Sequence, residues 1–226
     1  YAALREESAI HWCEGPKLWM IVAYQEAVDH MKDARFSRQS HLDELIARFG
    51  YGHIFERQKN DLPYMDGREH ARLRHHVTQA YRGIDFQLLA TFTQAFLHDR
   101  FQAIAGEPVI DLVREIANPL PVMVVSELMG VPSEQQEMVC QKVGAFVRAR
   151  GLTQTQSTVE EGDDSMGFYN EYFLPLIREK RQHLSTDLLS RLISDHQENM
   201  HLTDEQLLLV ISSNFYSASI YTLRLL

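Results

Sequence analysis

The stretch Asp66-Gly67-Arg68-Glu69-His70-Ala71-Arg72-Leu73-Arg74 decides how the rest of the chain is read. It opens a helix that runs on through Val77, Ala80 and Tyr81. Asp66 and Gly67 suit a helix start, and Glu69 stands in the first turn, where the macrodipole favours an acid. His70 and Arg74 are four apart, so they lie one above the other on a single helical face. Two donor side chains at that spacing can grip an anionic group such as a phosphate or a pair of carboxylates. The same spacing also occurs on solvated basic turns that bind nothing. The flanking sequence has to choose between the two.

After this helix, Phe86, Leu89, Phe92, Phe96 and Leu97 repeat at helical spacing over 84–101. Gly106-Glu107-Pro108 stops that run, and another helix is expected from Val109 to Asn118-Pro119. Pro119 and Pro121 bracket Leu120, and Val122–Met129 continues as helix to Gly130-Val131-Pro132. Ser133 with Gln136 reads as a capping box for a helix that reaches about Arg150. The polar stretch Gly151–Asp164 is expected to be a loop, its acids Glu160, Glu161, Asp163 and Asp164 simply solvated. Helices then follow over 166–183, with Pro175 as a kink, and over 187–193. Thr203 and Gln206 cap a last helix, whose apolar character all round over Leu207–Leu226 predicts a buried central element.

Before the opening stretch, residues 1–8 read as a short helix. Leu18–Ala23 reads as a strand entered from the Gly15-Pro16 turn, with His11-Trp12-Cys13 as its pairing partner. Ala27, Val28 and Met31 mark a helix over 24–32. From Arg38 to Pro63 periodicity weakens apart from Leu42, Leu45, Ile46 and Phe49; long irregular connections of this kind often bind ligands. The fold class expected is mainly α with a minor N-terminal β-sheet, in a single domain over 1–226.

Length and composition bound the function. The chain has 226 residues, 45% hydrophobic and 23% charged, which is ordinary for a globular protein with ample core. A net charge of −9 argues against nucleic-acid binding, which needs a basic surface. Cys13 and Cys140 make no disulfide framework or metal cluster, so a reducing cytoplasm is the expected compartment. His75-His76 lacks the second ligand pair of a zinc site. No phosphate-cradling glycine loop or nucleophile elbow occurs, and no apolar run is long enough to span a membrane. Both ends read as cut: the chain starts at Tyr1, and Tyr221–Leu226 is apolar and helical with no polar cap.

The order of these pieces resembles a soluble bacterial cytochrome P-450 over the whole chain. Trp19–Tyr24, Val28 and Asp33–Ser37 are similar to the family's first sheet, B helix and following motif. Leu62–Asp66 with Glu69, His70 and Arg74 is similar to the start of its C helix. Asp111-Leu112-Val113, Ala117–Pro121 and Glu127–Pro132 resemble the D–E region. Asp187–Ser190 and Leu202–Glu205 resemble the approach to its I helix. The resemblance implies haem as cofactor, with its propionates held by His70 and Arg74. It implies a hydrophobic small substrate contacted by Phe49, Tyr51, Ile54, Phe215, Ala218 and Ser219. It also implies electrons delivered by a ferredoxin or a flavin reductase.

The chain departs from the family in two places. The family's haem is bound by a Cys thiolate on a later loop; Cys13 and Cys140 both lie outside such surroundings, and the Glu-x-x-Arg pair of the family's K helix is absent too. The I helix of the family carries Ala-Gly, an acid, then Thr; here the text is Ser217-Ala218-Ser219-Ile220-Tyr221-Thr222. One alignment sets Ile220 and Tyr221 at the acid and Thr. The other, which continues better as helix, omits four residues, a loss of about 6 Å that roughly keeps the helical phase. Two functions follow as expectations: the N-terminal portion of a haem-thiolate monooxygenase, or a haem-free relative acting through a protein partner. An unrelated helical ligand-binding domain is the plainest alternative.

Overall fold

The computed structural model describes the chain apart from residues 16, 34, 38, 51–54, 56–57, 150–154, 195–200 and 224–226. It divides into two compact units, 1–38 and 39–226.

The first unit holds α1 (Ala2–Glu7), the strands β1 (Ile10–Cys13) and β2 (Leu18–Ile21), and α2 (Tyr24–Lys32). The strands are antiparallel, in the register Ile10↔Ile21, His11↔Met20, Trp12↔Trp19 and Cys13↔Leu18. The directly opposed Trp12 and Trp19 rings lie 5.4 Å apart, the kind of cross-strand aromatic pair that pins register. His11 Nε2 lies 2.8 Å from the Leu4 carbonyl, which ties α1 to the hairpin. The strands and both helices fall where the apolar run after Gly15-Pro16 and the helical spacing predict them.

The second unit is helical among its described residues. It runs α3 (Gln39–Phe49), a 3-10 turn (Leu62–Tyr64), α4 (Gly67–Arg82), α5 (Phe86–Ala103), a π-turn (Val113–Ala117), α6 (Pro119–Leu128), α7 (Ser133–Ala149), α8 (Gln156–Gln182), α9 (Leu188–Ser194) and α10 (Asp204–Leu223). The middle of this unit is α10, which packs against α6, α7, α8 and the 3-10 turn. Leu207, Leu208, Leu209, Val210, Ile211 and Phe215 are all buried, so the uniformly apolar text does mark a central helix. Its start is the predicted capping box: the Thr203 N–H donates to Gln206 Oε1 (3.0 Å) and the Gln206 N–H to Thr203 Oγ1 (3.2 Å).

Three expectations are corrected. The acidic stretch after residue 155 is helix: α8 starts at Gln156, capped reciprocally by Thr155 and Thr158. Its acids Glu160, Glu161, Asp163 and Asp164 lie beyond the first turn, and Val159, Gly162, Ser165 and Met166 give it a buried face. Residues 151–154 of the expected loop lie outside the described residues. The helix expected from Val109 begins later. Asp111 Oδ1 accepts the N–H groups of Val113 (3.0 Å) and Arg114 (3.1 Å), a side-chain N-cap that sets the helical start just after Asp111. Pro119 and Pro121 do not interrupt: both lie in the first turn of α6, where a missing N–H costs nothing. The Ser133 capping box also fails, because Gln136 instead donates to Glu127 Oε2 (2.9 Å) and the Val131 carbonyl (3.2 Å).

Candidate functional site

The candidate anion grip is built on α4. At 3.6 residues per turn, His70, Arg74, Val77 and Tyr81 fall within an arc of about 60°. Leu73, Ala80 and His76 lie next to that arc, about 60–120° from His70, and are the buried stripe of the helix. His70 is half-buried and Arg74 exposed, so the pair runs along the margin between core and surface. Neither side chain has a hydrogen-bond or ion-pair partner among the described residues. By contrast, Arg72 on the outer face is spent on Glu69 (2.9 Å). Two free donors one turn apart, beside an apolar stripe, match a ligand with carboxylates on one edge and an apolar body.

Hydrogen bonds hold this helix on two flanks among the described residues. On one flank, His76 Nε2 lies 3.0 Å from the Leu192 carbonyl of α9. On the other, the Tyr81 hydroxyl donates to Asn214 Oδ1 of α10. Burial pushes the Tyr81 phenol up to about 12, so it remains a donor. Just ahead of α4, the buried Asp61 accepts from the Ser213 hydroxyl, which ties the 3-10 turn to the neighbouring residue of α10. Sequence reasoning did not single out Tyr81, Asp61, Ser213 or Asn214. The i+7 spacing of Tyr81 from Arg74 was the one available signal.

The expected substrate residues are dispersed. Phe49 is half-buried in α3 and its ring stacks on Phe55 at 6.3 Å. Tyr51 and Ile54 lie outside the described residues. Phe215 is fully buried, its ring 5.7 Å from Phe173 and 6.2 Å from Tyr169, and so has no surface to offer a ligand. Ala218 is half-buried against the core. Ser219 is buried, and its hydroxyl donates to the Phe215 carbonyl one turn back (2.8 Å).

Ser219 borders a cavity of about 520 Å³ that is lined also by Arg100, Glu115, Val122, Glu137 and Cys140. A second cavity, of about 390 Å³, lies among Gly83, Glu127, Gly130, Lys180, Asp187 and Arg191. Neither of these two cavities is lined by His70 or Arg74. Cys140 is the thiol nearest the helical core, and burial followed by Glu137 pushes it up to about 11. The two donors therefore fit the carboxylate edge of a haem at His70 and Arg74. No helix among the described residues is long and apolar enough to cross a membrane.

A mostly helical chain organised about one central helix, with a small antiparallel hairpin near its start and a His/Arg pair on α4, corresponds to the N-terminal part of the cytochrome P-450 fold. The chain belongs to the bacterial cytochrome P-450 family. It is 30% identical to mycinamicin IV hydroxylase/epoxidase of Micromonospora griseorubida over 198 residues, covering 86% of this chain and 47% of that protein. It is 30% identical to cytochrome P-450 monooxygenase PikC of Streptomyces venezuelae over 219 residues, covering 92% of this chain and 49% of the other. The crystal structure of cytochrome P-450 BioI in complex with a ligated acyl carrier protein superposes with a TM-score of 0.78 at 21% identity, covering 96% of this chain and 56% of that one. No family profile matches the chain. The chain spans about half the length of the curated relatives it matches.

Proposed function

We propose that this chain is the N-terminal portion of a haem-thiolate monooxygenase that oxidises a hydrophobic small metabolite, as one domain with sequence it does not itself contain. The observation that carries this reading is the unpaired His70–Arg74 couple on the margin of α4. These two donors would hold the haem propionates. Phe49, Tyr51, Ile54, Ala218 and Ser219 are the candidates for the substrate side, and the fully buried Phe215 would act by backing that wall. Haem would supply oxygen activation when bound; the chain's own residues bind its carboxylate edge and wall off its apolar face. The electron donor would be a ferredoxin or a flavin reductase, and the compartment the cytoplasm. A reduced carbon-monoxide difference spectrum on the protein that contains this chain tests the reading. A thiolate-type band supports it, and its absence overturns it.

One pair of observations favours a second reading, a haem-free helper that acts through a partner. Cys140 and Cys13 lie outside the surroundings of the family's ligand loop, and the stretch Ser217-Ala218-Ser219-Ile220-Tyr221-Thr222 either sets Ile220 and Tyr221 at the family's acid and Thr or omits its Gly, acid and Thr. Haem content and oligomeric state separate the two. Stoichiometric haem in a monomer excludes the helper.

A further inference from the structure

The core holds α4 mainly through Leu73 and Ala80, and apolar packing is non-directional. Among the described residues, directional contacts add to that packing on two flanks of α4 about 140° apart around the axis: His76 to the Leu192 carbonyl on α9, and Tyr81 to Asn214 on α10. Only the second is on the flank that carries His70 and Arg74. Tyr81 lies about 10 Å along the axis from Arg74, on nearly the same line.

The acceptor is itself fixed. Asn214 Nδ2 donates to the Val210 carbonyl (2.7 Å), so Oδ1 is the atom left facing Tyr81. The Tyr81 hydroxyl must then be the donor. Asn214 belongs to the helix that also carries Ala218 and Ser219, one turn and a little more further on.

We infer that the Tyr81–Asn214 hydrogen bond is the azimuthal stay of α4, and that Tyr81 is a positioning residue that aims His70 and Arg74 at the carboxylates they grip. This rests on the propionate reading above and deepens it. Loss of the hydroxyl removes this stay from the flank that carries His70 and Arg74, and their margin swings.

The test is a titration of the apo form of the protein that contains this chain with ferric protoporphyrin IX and, separately, with its dimethyl ester, whose carboxylates are blocked, followed by Soret absorbance. The ratio of the two dissociation constants reads the grip and cancels general fit. Arg74→Ala collapses that ratio. Tyr81→Phe is expected to reduce it about three- to tenfold, the scale of one misaligned charge-assisted hydrogen bond. Asn214→Leu gives the same reduction, and adding Tyr81→Phe to Arg74→Ala lowers the ratio no further. A purely structural tyrosine would weaken both ligands equally and leave the ratio unchanged. An unchanged ratio in Tyr81→Phe alongside a collapsed one in Arg74→Ala overturns the inference and leaves the propionate grip standing. A ratio of one in the unmodified chain overturns the grip itself, and the inference with it.

Discussion

Gly130→Ala is the substitution whose cost can be built up in parts. Gly130 ends α6 in a Schellman arrangement: its N–H donates to the Glu127 carbonyl (3.0 Å), and the Val131 N–H to the Ser126 carbonyl (2.9 Å). The glycine sits at φ +70°, where a Cβ costs about 1–2 kcal/mol. That Cβ would also meet the Asp187 carboxylate, with Cγ at 2.6 Å, and Lys180 Nζ at 2.7 Å. Lys180 can swing away; Asp187 cannot. Its carboxylate accepts the Ser190 N–H (2.7 Å) as the N-cap of α9, and also takes Lys180 and the Ser185 hydroxyl. Displacing it loses a cap worth about 0.5–2 kcal/mol and weakens a largely buried ion pair. The expected total is about 3 kcal/mol, read as a lower urea midpoint or a melting temperature lower by ~6–12 °C. Gly106→Ala is the comparison, because Gly106 has φ +98° with open space where a Cβ would go. It should show the backbone cost alone. In an Asp187→Ala background, Gly130→Ala should also fall to that cost. If Gly130→Ala and Gly106→Ala prove equal in the parent chain, the contact argument is refuted.

Alkaline stability should be steep. Tyr81 and Tyr172 are both pushed up to about 12, by burial first, with Glu134 and Glu179 adding to the second. The unfolded chain ionises these phenols from about pH 10, so the stability they confer is intact below pH 10 and is lost as pH rises towards 12. The more buried Tyr81 contributes at most about 2–3 kcal/mol, and the more exposed, solvent-screened Tyr172 less. Urea midpoints between pH 8 and 11 should fall, less steeply in Tyr81→Phe, and parallel profiles would contradict the assignment. Cys140 should alkylate slowly in the native chain at pH 8, on the order of 100-fold more slowly than in urea, because its thiol is pushed up to about 11. Mass spectrometry of iodoacetamide-treated chain checks this, and equal rates would contradict the buried placement of Cys140.

Local rules written into the residues determined a good part of this protein. Apolar spacing located α4, α5, α9 and α10, a compact apolar run after the Gly15-Pro16 turn located the hairpin, and the Thr203–Gln206 box placed the start of the central helix. The His70–Arg74 pair was legible because one helical turn is a local distance. Tertiary structure decided the rest. The acids after Thr155 read as loop from composition alone, yet they join α8 once its inner face is buried. Gln136 had a free choice between its own helix end and Glu127, and packing beside α6 settled it. Phe215 was indistinguishable in sequence from a pocket residue until Tyr169 and Phe173 closed over it. Tyr81 acquires meaning only through Asn214, 133 residues further along the chain. A hydrogen bond between distant segments is set by how whole helices pack, and no local pattern records it.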